Sequence, residues 1–197
     1  MYKFVGKTLL IIVLMSVLYS CDNAPQMPKP STYLRLDLLK PKYITFDNNE
    51  YPFTFMSPDY AVYQKMDSKD KDIKFFNLNF DKYNFVANVT FLPLTSDTSL
   101  RTSVKDCYTF LKRHEKLSGG IVEREYADSK KRVYGTVFEI KGKDVVSPYQ
   151  LYITDSVKYF VRIALNSNFI PNNDSCEVVI NQLKKDIDNI ITTFEWR

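Results

Sequence analysis

From Tyr33 to Leu38 apolar and polar residues alternate as Tyr-Leu-Arg-Leu-Asp-Leu, the two-residue period of an extended segment, and Pro41 ends the run. Tyr51–Phe55 and Tyr60–Lys65 read as short strands on either side of a Ser57-Pro58-Asp59 turn. Ile73–Phe80 and Tyr83–Leu92 predict a hairpin that turns at Asp81-Lys82. In its second arm Phe85, Ala87, Val89 and Phe91 fall on one side, and Asn84, Asn88 and Thr90 on the other, the pattern of a half-buried strand with a wet face. The period then lengthens. Leu100, Val104, Cys107, Tyr108 and Leu111 recur at three and four, which predicts an amphipathic helix capped by Thr98 or Ser99 and stopped before Ser118-Gly119-Gly120. Ile121–Tyr126 and Arg132–Lys141 return to strand alternation, and Tyr149–Thr154 and Lys158–Leu165 predict a second hairpin joined at Asp155-Ser156. The last helix is expected to be capped within Asn172-Asn173-Asp174-Ser175, with Pro171 just outside it. Its apolar face is Val179, Ile180, Leu183, Ile187, Ile190, Ile191 and Phe194, while Asp186 and Asp188 are assigned to the solvated face.

This order of about seven strands joined mostly by short turns, with two amphipathic helices, predicts an α+β fold: one domain, mostly antiparallel sheet, with helices packed over one face or both. The domain is expected over residues 33–197.

The first 32 residues follow a different pattern. Lys3 and Lys7 precede an apolar run from Thr8 to Leu18, and Leu18-Tyr19-Ser20-Cys21 closes it. The run is too short for a bilayer, which takes about 20 apolar residues, and reads as a cleaved secretory signal over residues 1–20. A cysteine at the cleavage point resembles a bacterial lipobox, which implies that Cys21 becomes the acylated first residue of the mature chain. Pro25, Pro28 and Pro30 mark residues 21–32 as a tether whose residues Asp22–Thr32 would reach about 30 Å in polyproline II form. A protein held outside the cytoplasm by two or more acyl chains is stably anchored and meets neither ATP nor genomic DNA.

Charge adds little. Loss of Lys3 and Lys7 with the signal lowers the formal net charge from +4 to +2, too even a balance to point to a polyanion, and no nucleic-acid partner is expected. The 14 Phe and 14 Tyr suit either a Tyr-rich contact surface or a β-rich core.

No motif signals catalysis. His114 is the chain's one histidine, lies at a helix end, and has neither a second histidine nor a cysteine pair to hold a metal with it. There is no Gly-x-Ser-x-Gly elbow, and Gly119-Gly120 lacks the Gly-Lys-Ser/Thr of a phosphate loop. No catalytic residue, metal or cofactor is therefore expected. Cys107 and Cys176 could pair in an oxidising compartment or remain buried thiols. Asp155-Ser156-Val157 fits a short O-glycosylation acceptor pattern of some gliding bacteria, and equally an Asp-Ser turn.

Two stretches resemble one family. The first runs from Met27-Pro28-Lys29-Pro30 through Tyr33-Leu34-Arg35-Leu36-Asp37, Pro41-Lys42-Tyr43 and Tyr51-Pro52-Phe53-Thr54-Phe55. The second runs from Ser147-Pro148-Tyr149-Gln150-Leu151-Tyr152-Ile153-Thr154-Asp155-Ser156 through Phe160-Val161-Arg162 and Pro171-Asn172-Asn173-Asp174-Ser175 to Lys185-Asp186-Ile187. In order and spacing they resemble the gliding-motility lipoprotein GldD family over nearly all of the mature chain. Ile163 departs from the family pattern, where a glycine is expected after the arginine. The resemblance implies an accessory lipoprotein of the gliding and type IX secretion apparatus, with other envelope proteins as partners. It implies residence in the cell envelope on the periplasmic side, the outer membrane being preferred to the inner. Either a contact face is expected on Pro148, Tyr149, Gln150, Tyr152, Asp155, Ser156 and Arg162, or Ser147-Pro148-Tyr149-Gln150 simply fixes the hairpin. The element order also loosely resembles the photosystem II extrinsic subunit P, at the level of fold alone. The competing reading is a periplasmic small-ligand binder or hydrolase, which requires a deep pocket with convergent polar groups.

Overall fold

The computed structural model describes residues 38–114, 116, 118–169 and 172–197. Cys21, the tether and most of the Tyr33–Leu38 segment lie outside the described residues, and Leu38 itself is in no strand. The elements in chain order are β1 (Tyr43–Asp47), β2 (Phe53–Pro58), β3 (Val62–Met66), β4 (Lys74–Phe80), β5 (Phe85–Pro93), α1 (Asp97–Lys112), β6 (Gly120–Asp128), β7 (Val133–Lys141), β8 (Tyr149–Thr154), β9 (Tyr159–Ser167), α2 (Asn173–Thr193) and β10 (Glu195–Trp196).

The α+β class is as expected, but the strands form two sheets rather than one. Seven strands in the order β3-β4-β5-β9-β8-β7-β6 make the large sheet, and β1-β2-β10 a small one, all pairs antiparallel. The strands on either side of the Ser57-Pro58-Asp59 turn do not pair with each other. β2 joins β1 and β10, while β3 joins β4. β1 and β10 have no counterpart in the expected elements: β10 pairs Trp196 with Phe53 from the other end of the domain, and Tyr-Ile-Thr-Phe-Asp of β1 does not alternate although it pairs with neighbouring β2.

Local chemistry sets the helix ends. α1 is capped by Ser96, not by Thr98 or Ser99. The Ser99 N–H donates to Ser96 Oγ at 3.2 Å and the Ser96 N–H donates to Ser99 Oγ at 3.1 Å, a reciprocal box that satisfies two orphan donors. Asn172 occupies the cap position of α2 but makes no side-chain cap bond. Instead Asn173 Nδ2 donates to the carbonyls of Gly142 (2.7 Å) and Val145 (3.0 Å), which ties the helix start to the β7–β8 loop.

The core lies on one face of the large sheet, beneath α2 and the small sheet. The seven apolar residues expected on α2 are all buried there, with Leu151, Ile153, Ile163 and Leu165 from the sheet. Full burial contributes about 1.5–3 kcal/mol for each such side chain. Phe46 of β1 stacks on Phe55 and Phe76 at 4.6 and 5.2 Å, which bonds the small sheet to the large one. The opposite face carries a smaller cluster, Leu111 of α1 with Phe138, Ile140 and Val145. Alternation along β8 and β9 therefore sends Leu151 and Ile163 toward α2, and Gln150 and Arg162 toward α1. Beyond α1 the same face is wet, as Asn88 and Thr90 predict. Asn166 donates to Asn88 and Asn88 to Asn77, at 2.6 and 2.8 Å, a polar ladder across three strands.

Cys107 and Cys176 are both free thiols. They sit on helices covering opposite faces of the sheet, so the sheet stands between them, and a bridge, which needs Cα atoms within about 7 Å, is not formed.

Candidate functional site

The hairpin expected to carry the contact face occupies the middle of the large sheet, flanked by β5 and β7. Its residues are consequently turned to internal use. Pro148, Tyr149, Gln150 and Asp155 are buried, and Tyr152 and Arg162 are half-buried. Of the seven expected residues only Ser156 is exposed. Tyr149 donates its hydroxyl to Asp188 at 2.6 Å, and Arg124 donates to both. The Tyr152 hydroxyl accepts from Thr136 at 2.9 Å. Asp155 Oδ1 accepts the N–H groups of Val157, Lys158 and Tyr159 at 2.7–3.0 Å, which fixes the turn and leaves Ser156 at φ 67° with its neighbour Val157 exposed. The Asp-Ser-Val pattern thus has a complete structural explanation as a turn.

Arg162 is the centre of a polar cluster under α1. It donates to Gln150 Oε1 at 2.7 Å, Gln150 donates to Ser147 Oγ at 2.9 Å, and Ser147 donates to the Leu165 carbonyl at 3.1 Å. Its guanidinium lies 4.5 Å from the centre of the Phe110 ring, and Arg113 lies 4.9 Å from the same ring. This arrangement replaces a carboxylate counter-ion with an amide oxygen and an aromatic face. Burial lowers the proton affinity of His114, and the charges of Arg162 and Arg113 lower it further. Burial raises the Cys107 thiol to about 11 despite the nearby Arg162. Both groups are therefore neutral at pH 7, and the cluster clamps α1 to β8 and β9 instead of activating a nucleophile.

The most deeply buried carboxylate among the described residues is Asp186. Assigned to solvent by sequence, it is 0% exposed. Its Oδ1 accepts from the Tyr43 hydroxyl at 2.9 Å and from Gln182 at 3.2 Å, and its Oδ2 accepts from the Tyr60 hydroxyl. Burial raises its pKa, and the hydrogen bonds from Tyr60, Tyr43 and Gln182 oppose that shift. Tyr43 is raised to about 12 by its own burial and by the bond to Asp186. The correction has a plain cause: residue 186 lies three after Leu183 and four before Ile190, within the apolar stripe. Spacing alone would have found it had the charge not overridden the position.

No group of three or more potential metal ligands occurs among the described residues. The clefts they form are open depressions. One of about 410 Å³ is lined by Lys141, Lys143, Asn173, Asp174 and Lys184, and one of about 510 Å³ separates β1 from β3 along Ile44, Phe46, Ala61 and Tyr63. Neither is lined by Asp186, His114 or Arg162.

The gliding motility lipoprotein GldD family model matches residues 23–196, which takes in every element described above. The chain belongs to that family. As a member of the GldD family it is a gliding motility lipoprotein, and so a membrane-anchored protein of the cell envelope. Among the described residues no helix is long and apolar enough to cross a membrane. No curated protein matches the chain. A solved structure, the solution structure of cyanobacterial PsbP (CyanoP) from Synechocystis sp. PCC 6803, is similar over 81% of this chain and 95% of its own, at 13% identity and a TM-score of 0.48. That likeness matches the one suggested by the element order, and no statement about function is drawn from it.

Proposed function

We propose that this GldD-family chain is an accessory component of the gliding and type IX secretion apparatus, anchored through Cys21 and acting by protein–protein contacts on the periplasmic face, at the outer membrane in preference to the inner. The observation that carries this reading is the extent of the family match, residues 23–196, which spans the whole domain rather than one motif. The structure supports a contact role in a second way. The perturbed groups Asp186, Cys107 and His114 line neither cleft described above, and Asp186 is held by Tyr43, Tyr60 and Gln182. The contact face on the β8–β9 hairpin is proposed in narrowed form, at the exposed turn of Ser156, Val157 and Lys158. The domain is proposed to span residues 33–197 behind a signal at 1–20 and a tether at 21–32.

Crosslinking in intact envelopes followed by pull-down of this chain tests the reading. Motility and secretion proteins should co-purify with the wild type and be depleted with Lys158→Glu, and gliding should fail. Unchanged co-purification and gliding would remove the turn as a contact. Changing Cys21→Ser should abolish labelling by a fatty-acid probe, and persistence of the label would refute that anchor.

A further inference from the structure

The chain enters the domain at a definite place. The Leu39 N–H donates to the Tyr83 hydroxyl at 2.7 Å, and Tyr83 lies in the short turn between β4 and β5. Strand pairing shows what else shares that end of the large sheet. The start of β5 pairs with the end of β9, the start of β8 lies beside the end of β7, and the end of β7 pairs with the start of β6. The C-terminus of α1 leads into that same start of β6. From β4 to β7 this end spans four strand intervals, about 20 Å at about 4.8 Å each.

Lys40, Lys42, Lys112, Lys116, Lys141 and Lys143 all belong to this end, and all are exposed. None takes part in the five ion pairs formed among the described residues, which use Lys65, Arg124, Lys131, Lys184 and Arg197. Lys82 and Arg113 bring the cations here to eight, against five acids among the described residues of the same end: Asp59, Asp81, Asp144, Asp174 and Glu177. The far end differs. Asp67, Lys69, Asp70, Lys71 and Asp72 interleave in the β3–β4 loop, and Lys131 and Arg197 are neutralised by Glu195 and Asp47. A chain of modest net charge thus carries its excess cations at the end where its anchor segment arrives.

The geometry points to this end as a surface that rests on the anionic headgroups of the membrane in which the chain is anchored. Six exposed ammonium groups without an ion pair among the described residues, spread over a face of about 20 Å, suit a plane of negative charge better than a single pocket. Each lysine brought within a Debye length of such a surface raises association about fivefold. The anchor removes most of the cost of encounter, because it holds the domain at high effective concentration beside the surface. The domain then stands with the large sheet's strands directed away from the membrane, and the β3–β4, β6–β7 and β8–β9 turns face the periplasm. The inference rests on anchorage ahead of residue 38, which the proposed function shares, and not on which proteins the distal turns meet.

Hydrogen–deuterium exchange on the full acylated protein tests it. The protein is reconstituted in vesicles of phosphatidylcholine alone or mixed with phosphatidylglycerol, and the acyl chains are verified by mass in the same sample, so that failure of the anchor is distinguished from failure of the surface contact. Amides of residues 112–120 and 141–148 should exchange several-fold more slowly in the anionic vesicles, and raised salt should remove the difference. The variant Lys112→Glu, Lys116→Glu, Lys141→Glu, Lys143→Glu should lose the protection while amides of β8 and β9 remain protected. Equal exchange in both vesicle types, or protection confined to residues 67–73, would overturn the inference, as would protection seen only when other envelope proteins are added.

Discussion

Replacing Asp186 by alanine should destabilise the domain by about 3 kcal/mol, for reasons that can be followed atom by atom. The carboxylate is 0% exposed and accepts from Tyr43, Tyr60 and Gln182. Hydrogen bonds to a charged group contribute about 1.5–3 kcal/mol each, and a hydroxyl left without its acceptor in the interior costs about 1–3 kcal/mol. For the ionised form the cost of burial outweighs this gain, which is why the carboxyl titrates above its usual range in spite of three donors. Alanine strands two tyrosine hydroxyls at about 1–3 kcal/mol each and relieves the cost of the buried carboxylate, so the net effect is about 3 kcal/mol. For a domain of this size that lowers Tm by about 6–12 °C. Denaturant unfolding followed by near-ultraviolet circular dichroism gives the free energy. A double-mutant cycle with Tyr60→Phe should yield a coupling of about 1.5 kcal/mol. The triple variant Asp186→Leu, Tyr43→Phe, Tyr60→Phe should recover most of the loss, since both hydroxyls go with their acceptor and only half-buried Gln182 loses a partner, within reach of water. The sign of the pH effect follows from the same site. A carboxyl whose folded pKa lies above its usual 3.8 contributes fully below about pH 4 and loses that contribution as pH rises through its folded value. Wild-type stability relative to Asp186→Asn should therefore fall as pH rises from 4. A cost below about 0.5 kcal/mol for Asp186→Ala, additive behaviour with Tyr60→Phe, or a pH slope of the opposite sign would refute the reasoning.

Two further outcomes follow from close packing. A Cβ at Gly135 would lie 2.1 Å from the Tyr152 carbonyl oxygen on β8, so Gly135→Ala should separate β7 from β8 and cost at least 3 kcal/mol, read as lost soluble yield or a lowered Tm. Burial with a thiol pKa of about 11 should make Cys107 far slower than half-buried Cys176 toward a maleimide in the native protein, with equal rates after denaturation, as measured by peptide mass; equal native rates would contradict the placement of Cys107.

What the sequence made legible was the set of elements built on local period. The stripe on α2, the β4–β5 pair with its wet asparagines and the β8–β9 pair all stand where alternation or helical spacing placed them. Pairing between distant segments has no period to betray it, so β10 was not visible, while β1, which pairs with neighbouring β2, is a five-residue strand whose Tyr-Ile-Thr-Phe-Asp does not alternate. The hairpin at residues 149–165 shows a subtler limit. Gln150, Tyr152 and Arg162 alternate with apolar residues as on a solvated face, yet α1 lies over them and the polar atoms satisfy one another. Asp186 is the reverse case, a charge whose spacing marked it as interior and whose chemistry argued otherwise.

The link between Tyr43 and Asp186 joins positions 143 residues apart, and Met56 meets Thr193 across 137. A ribosome or translocon delivers chain vectorially, so β1 and β2 can pair early, but Phe53 and Phe55 of β2 lack their contacts with Phe194 until α2 and β10 emerge. Such late closure leaves the inner face of β2 exposed to wrong partners until the final helix arrives.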